Sequence, residues 1–176
     1  MTHINTFKQK ILFTEQECDL ILKEYIDKPI GTIEQKTYVS WISKNIDSVK
    51  DSWILDRLVG WFESELNIKI DWDNAPKKEF YLQSYIKGDK FAKHNDNAYN
   101  RVYGMGVLLN DEFEGGEFIV DVSNTESVSF NKLVGNCYLF QSHMLHEVKE
   151  ITKGNRNVLL IFFQNSQLIF KRNQLI

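Results

Sequence analysis

The chain has 176 residues, 43% hydrophobic, 26% charged and 13% aromatic, and a chain of this size buries roughly 70% of the surface it exposes when unfolded, so a full core is within reach without disulfides or a structural metal. Twenty-four acidic against 21 basic side chains leave a formal charge of −3, which offers no field to phosphate backbones and argues against a nucleic-acid partner. Cys18 and Cys137 form no metal-spaced pair, Met1 to Lys10 lacks an apolar stretch of signal-peptide length, and the longest apolar run, Val158 to Phe163, is far short of a membrane span, so a cytoplasmic protein with reduced thiols is expected.

Seven of the nine glycines fall between residues 88 and 154, which predicts helices first and tightly turned strands after. In chain order, Thr14-Glu15-Gln16-Glu17 reads as a capping box opening a helix that carries Leu20, Ile21, Glu24 and Tyr25. A second helix is predicted from about Ser52 to Leu66, where Ile54, Leu55, Leu58, Trp61, Phe62 and Leu66 recur at helical spacing. Its aromatic stripe reads as core.

From residue 79 the period drops towards two. Strands are expected at Phe80 to Ile86, Tyr103 to Leu109, Gly116 to Val122, Ser127 to Phe130, Cys137 to Phe140, His146 to Lys149 and Asn157 to Gln164. Seven or eight short strands with turns between them predict a sandwich, jelly roll or barrel buttressed by helices. No linker or repeat divides the chain, so one domain over 1–176 is expected, with helical support over about 1–78 and a barrel over about 79–170.

Three of the four histidines lie in the strand-rich half, and His94-Asn95-Asp96 sets an imidazole and a carboxylate at i and i+2, on one face of an extended segment. A distant His146 would complete two histidines and one carboxylate, the facial triad of non-haem Fe(II) oxygenases. A His-x-Asp by itself is also what a hydrogen-bonded turn looks like. The surroundings carry more. Tyr85-Ile86-Lys87-Gly88-Asp89-Lys90-Phe91-Ala92-Lys93-His94-Asn95-Asp96, then Leu109-Asn110-Asp111-Glu112-Phe113-Glu114-Gly115-Gly116-Glu117-Phe118, then His146-Glu147-Val148 with Thr152-x-Gly154-x-Arg156 together resemble the 2-oxoglutarate- and Fe(II)-dependent dioxygenases, specifically the prolyl-4-hydroxylase-like branch. The three ordered blocks span roughly residues 80 to 163, and the Phe13 to Cys18 start is similar to that branch's leading helix.

The resemblance implies a mostly β fold, a double-stranded β-helix (a jelly-roll, cupin-like barrel) with N-terminal α-helices packed on one sheet. It implies that His94, Asp96 and His146 hold Fe(II), that 2-oxoglutarate chelates the metal, that Arg156 pairs with its distal carboxylate and that Tyr85 hydrogen-bonds it. O2 is the oxidant and ascorbate a supporting reductant. A guanidinium suits that task because its planar fork binds a carboxylate bidentately and stays charged when desolvated. The offset of ten residues from His146 to Arg156, across the Lys153-Gly154 turn, predicts that the next antiparallel strand carries Arg156 into the barrel. Tyr85 reads equally as a tyrosine packed at a barrel mouth.

His143, three residues before His146, would face the other way on a strand and reads as a rim or surface residue, with His3 an N-terminal bystander. Some family members carry a second tyrosine just before the Leu-Asn pair, beside the arginine; here that position is Leu108, and Tyr138 is either a replacement from another strand or a structural residue. Gly115-Gly116 reads as a tight turn. The implied reaction is hydroxylation of a C–H bond with decarboxylation of 2-oxoglutarate to succinate and CO2, on a prolyl residue of a peptide or protein by default, or on a free amino acid or other small molecule. A nucleic-acid demethylase would carry a second arginine where this chain has Phe162. The non-enzyme alternative is a cupin-like binding barrel. Gln35 to Ser43, with Tyr38 and Trp41, and Asn97 to Arg101 flank the mouth or serve as packing and an ordinary loop; substrate contacts and oligomeric state stay open.

Overall fold

The structure, a computed structural model, describes residues 6–27, 32–36, 39–45, 52–72 and 79–170. Its elements in chain order are β1 (Phe7–Ile11), α1 (Glu15–Tyr25), β2 (Thr32–Lys36), β3 (Val39–Asn45), α2 (Ser52–Leu66), β4 (Ile68–Ile70), β5 (Glu79–Tyr85), β6 (Phe91–His94), β7 (Arg101–Leu108), β8 (Phe113–Gly115), β9 (Phe118–Asp121), β10 (Ser127–Ser129), β11 (Asn136–Gln141), β12 (His146–Val148), β13 (Ile151–Gly154), β14 (Arg156–Gln164) and β15 (Leu168–Phe170). Both expected helices are present. Thr14 caps α1 reciprocally: its hydroxyl accepts from the Glu17 N–H at 3.2 Å, and the Glu17 carboxylate accepts from the Thr14 N–H at 2.9 Å.

The expectation of helices first needs correcting. Four strands, β1 to β4, precede residue 79, and β1, β2 and β3 join the principal sheet. The sequence Phe7-Lys8-Gln9-Lys10-Ile11 has too few apolar residues to announce a strand, because β1 pairs on one side only, along β11. His3, Tyr38 and the side chain of Trp41 lie outside the described residues.

The principal sheet runs β1-β11-β7-β14-β5-β3 and then turns through β3 into β6-β12-β9-β10, with β2 paired to the outside of β3. The two runs are the opposed walls of a double-stranded β-helix. They meet at one described residue pair, Val39 of β3 with Phe91 of β6.

β14, in the middle of the larger wall, is buried at every position, which explains why it reads as a continuous apolar run. Its residues Leu159, Ile161 and Phe163 pack with Phe80 and Leu82 of β5, Met105 and Val107 of β7, and Cys137 and Leu139 of β11 into a core closed by α1 and α2. Cys18, Ile21 and Tyr25 of α1 and Leu58, Trp61 and Phe62 of α2 supply the other side. The alternate residues, one position along each strand, face the barrel interior. The strand that follows the Lys153-Gly154 turn, β14, carries Arg156 into the barrel from the wall opposite His146. The β8–β13 pair intervenes, and β14 enters the opposite wall between β5 and β7. Among the described residues no helix is long and apolar enough to cross a membrane.

Candidate active site

One end of the barrel opens on a cavity of about 380 Å³ whose walls include His94, Asp96, His146, Tyr85, Tyr138 and Arg156. His94, the last residue of β6, and His146, the first of β12, are register partners across an antiparallel pair, with ring centroids 4.3 Å apart. Asp96 follows β6, and its backbone N–H donates to the Ser142 carbonyl at 2.7 Å, which ties it to the turn before β12. One donor atom from each of His94, Asp96 and His146 lies within 4.8 Å of the others.

The hydrogen bonds around the imidazoles show what this cluster can hold. The Nδ1 of His94 is 2.8 Å from the Ala92 carbonyl and that of His146 is 2.9 Å from the Met144 carbonyl. A carbonyl can only accept, so each Nδ1 carries a proton and Nε2 is the nitrogen that each ring turns inward. Those Nε2 atoms stand 3.4 and 3.2 Å from the two Asp96 oxygens. These are the atoms a metal would use: an imidazole that gives up its Nε2 proton and an ionised carboxylate both offer lone pairs to a cation. Bonds of about 2.1 Å at right angles set neighbouring ligand atoms about 3 Å apart, so a divalent metal fits this set and would keep its remaining positions open to the cavity. Burial opposes ionisation of Asp96, yet hydrogen bonds from His146 and His94 hold its carboxyl well below the usual carboxylate range. Phe91 stacks on His94 at 3.6 Å, and Phe118 and Phe140 flank His146.

Arg156 is the first residue of β14 and only 2% exposed. It is the register partner of Tyr85 on β5, and its guanidinium carbon lies 5.4 Å from the Tyr85 ring centroid. No carboxylate among the described residues forms an ion pair with it. A buried cation without a counter-charge is costly, and a ligand carboxylate entering the cavity would supply one. Gly115 and Gly116 both have positive φ, 72° and 68°, as a tight turn requires, and a Cβ on Gly116 would come within 3.3 Å of the Arg156 Cδ. The Tyr85 hydroxyl donates to Gln83 Oε1 at 3.4 Å; burial pushes that phenol up and Arg156 pulls it back.

His143 is exposed on the turn between β11 and β12, away from the cluster. Phe162 faces the cavity, and the Arg101 guanidinium lies over its ring at 3.9 Å. The Asn97 to Arg101 stretch does reach the mouth: Tyr99, 69% exposed with φ of 57°, and Arg101 both line the opening. Glu79 was not anticipated. It is fully buried at the start of β5, where Arg101 grips both its oxygens and Tyr81 donates to it at 3.3 Å, and the remaining Arg101 nitrogen points towards Asp96 at 4.0 Å. Its signal was the alternation Glu79, Tyr81, Gln83, Tyr85 along a strand whose other face carries Phe80 and Leu82.

Residues 80–164 match the sequence pattern of the 2OG-Fe(II) oxygenase superfamily. A PKHD-type hydroxylase of Idiomarina loihiensis is 28% identical over 90 residues, which cover 48% of this chain and 41% of that relative, so the chain matches less than half of the relative's length. Among solved structures, a Pseudomonas putida prolyl-4-hydroxylase superposes with a TM-score of 0.70 at 15% identity, covering 92% of this chain and 94% of that one. A Trichoplax adhaerens prolyl hydroxylase, solved with a hypoxia inducible factor peptide fragment, gives 0.68 at 15% identity, covering 94% and 86%. The fold is thus shared with these solved structures, and residues 80–164 carry the sequence pattern of the 2OG-Fe(II) oxygenase superfamily.

Proposed function

We propose that the protein is a 2-oxoglutarate-dependent Fe(II) dioxygenase that hydroxylates a substrate C–H bond, on a prolyl residue of a peptide or protein. The observation that carries this reading is the convergence on one cavity of the His94, Asp96 and His146 donor atoms and a buried Arg156 with no carboxylate partner among the described residues. Fe(II), with O2 and 2-oxoglutarate, supplies the oxidation when bound: one oxygen atom goes to the substrate carbon, the other to the succinate formed as CO2 leaves. The chain supplies geometry. His94, Asp96 and His146 would hold the metal, and the backbone carbonyls of Ala92 and Met144 fix the two rings. Arg156 orients the cosubstrate by its distal carboxylate, with Tyr85 beside it. Phe91, Phe118, Phe140 and Val148 keep that end of the cavity dry. No protein nucleophile or general base is required. The peptide assignment is supported by the two prolyl hydroxylases that share this fold, one of them solved with a peptide. We further read 1–176 as one domain and place it in the cytoplasm, where the buried free thiols Cys18 and Cys137 would stay reduced.

Succinate release from purified protein given Fe(II), ascorbate and 2-oxoglutarate tests the chemistry. His94→Ala and Asp96→Ala are expected to abolish it and His143→Ala to leave it unchanged. Equal loss in His143→Ala, or no turnover and no cosubstrate binding by the wild type, would overturn the reading. Mass spectrometry of candidate peptides and free amino acids for one added oxygen decides the substrate class.

A further inference from the structure

Tyr138 sits where no cosubstrate role was assigned. It lies on β11, its ring is buried, and it shares the cavity wall with Arg156, whose guanidinium comes close enough to act on its hydroxyl. β11 and β14 are not neighbours, since β7 runs between them. What makes the reach possible is Gly106, the residue of β7 directly opposite Tyr138. A Cβ there would stand 2.1 Å from the Tyr138 Cζ and 2.2 Å from its hydroxyl oxygen, closer than any real contact. The ring therefore lies across the middle strand through a gap that only glycine leaves. Phe118 stacks on one face of it at 4.3 Å and Phe130 meets it edge-on at 4.9 Å, so its rotamer is held from both sides. Leu108, two residues along β7, brings hydrocarbon alone.

Resting on the 2-oxoglutarate reading of this pocket, we propose that Tyr138 is a positioning residue for the cosubstrate's distal carboxylate, working with Arg156 through the opening at Gly106. The donor count supports it. A guanidinium can only donate, so in that contact the Tyr138 oxygen accepts. Its own proton is then left for an acceptor beside Arg156, which is where an anionic ligand would seat its far end. Burial pushes the phenol up to about 12, so the proton is retained at neutral pH.

Ligand binding to Mn(II)-loaded protein, measured by calorimetry with 2-oxoglutarate and with oxalate, tests the idea without turnover. Oxalate shares the metal-chelating end of the cosubstrate and lacks the distal carboxylate. Tyr138→Phe keeps the ring and its packing, and is expected to weaken 2-oxoglutarate roughly tenfold or more, the scale of a lost hydrogen bond to a charged group, while leaving oxalate binding and melting temperature unchanged. If Tyr138→Phe binds 2-oxoglutarate like the wild type while Arg156→Lys does not, the inference is wrong and the cosubstrate reading stands. Equal weakening of both ligands would also overturn it, because the effect would not be directed at the distal end. A wild type that binds oxalate but shows no affinity for 2-oxoglutarate removes both.

Discussion

Glu79 illustrates how a side chain can be hidden by the chemistry that makes it useful. A polar residue at alternate positions of a strand ordinarily marks the solvent face, and Glu79, Tyr81, Gln83 and Tyr85 follow that pattern. Here the alternate face looks into the cavity, so the same pattern describes a polar wall. His94, Asp96, His146 and Arg156 escaped the ambiguity because they sit inside ordered motifs, whereas Glu79, Arg101 and Tyr138 depend on strand pairings that spacing along one strand does not reveal. The Glu79–Arg101 pair makes a measurable prediction. Glu79→Ala would strip the half-buried Arg101 of its bidentate partner, leaving only Asp96 at 4.0 Å, and it is expected to cost about 3 kcal/mol in a urea titration with unchanged slope. The double change Glu79→Met with Arg101→Met should recover much of that loss, since it removes both desolvated charges together.

At the scale of elements, what was legible followed length and pairing. Strands β5, β7, β11 and β14 are long, apolar on one or both faces, and match the sequence reading within a few residues. β4, β6, β8 and β13 have three or four residues each and give too little periodicity to read, whereas β9, β10 and β12 are as short but fall in segments that did read as strands. Helix α1 was legible from its cap, and that cap is coupled to the second helix, because Arg57 of α2 donates to Glu17 at 2.7 Å and to the Leu12 carbonyl at 3.3 Å. The Thr14 backbone hydrogen bond and then Arg57 hold the Glu17 carboxyl below its ordinary value. A carboxyl lowered by folding contributes stability that is fully present above its unfolded pKa, about 4.3, and is lost as pH falls through the lower folded value. Thr14→Ala is accordingly expected to cost about 1 kcal/mol at pH 7. The stability gap between the wild type and Glu17→Gln should close on acidification below about pH 4, as followed by circular dichroism melts.

The whole molecule is organised around one sheet with two different neighbours. Helices cover one face of β14 and the cavity lies against the other, so adjacent residues of a single strand answer to different demands. Leu159→Ala removes packing between sheet and helices and is expected to cost 2–5 kcal/mol of stability, with substrate and cosubstrate affinity unchanged once the protein is folded. Leu160→Ala, one position on, opens the cavity wall; its stability cost should be smaller and its effect should appear in substrate KM. Reversal of that pattern in paired denaturation and kinetic measurements would show that the faces are misassigned. This division also accounts for what the first 78 residues do. They supply the helices that seal one face, and through β1, β2 and β3 they also lengthen the larger wall.

The one residue pair that joins the two walls among the described residues has a mechanical consequence. Phe91 aligns with Val39 of β3 on one side and with Val148 of β12 on the other, and its ring is the surface on which the His94 imidazole rests. The clasp of the barrel and the seat of its first histidine are thus one residue, its backbone aligned with β3 and its ring under the imidazole. Any force that prises the β2–β3 ribbon from β6 loosens the grip on that imidazole while every donor atom keeps its chemistry.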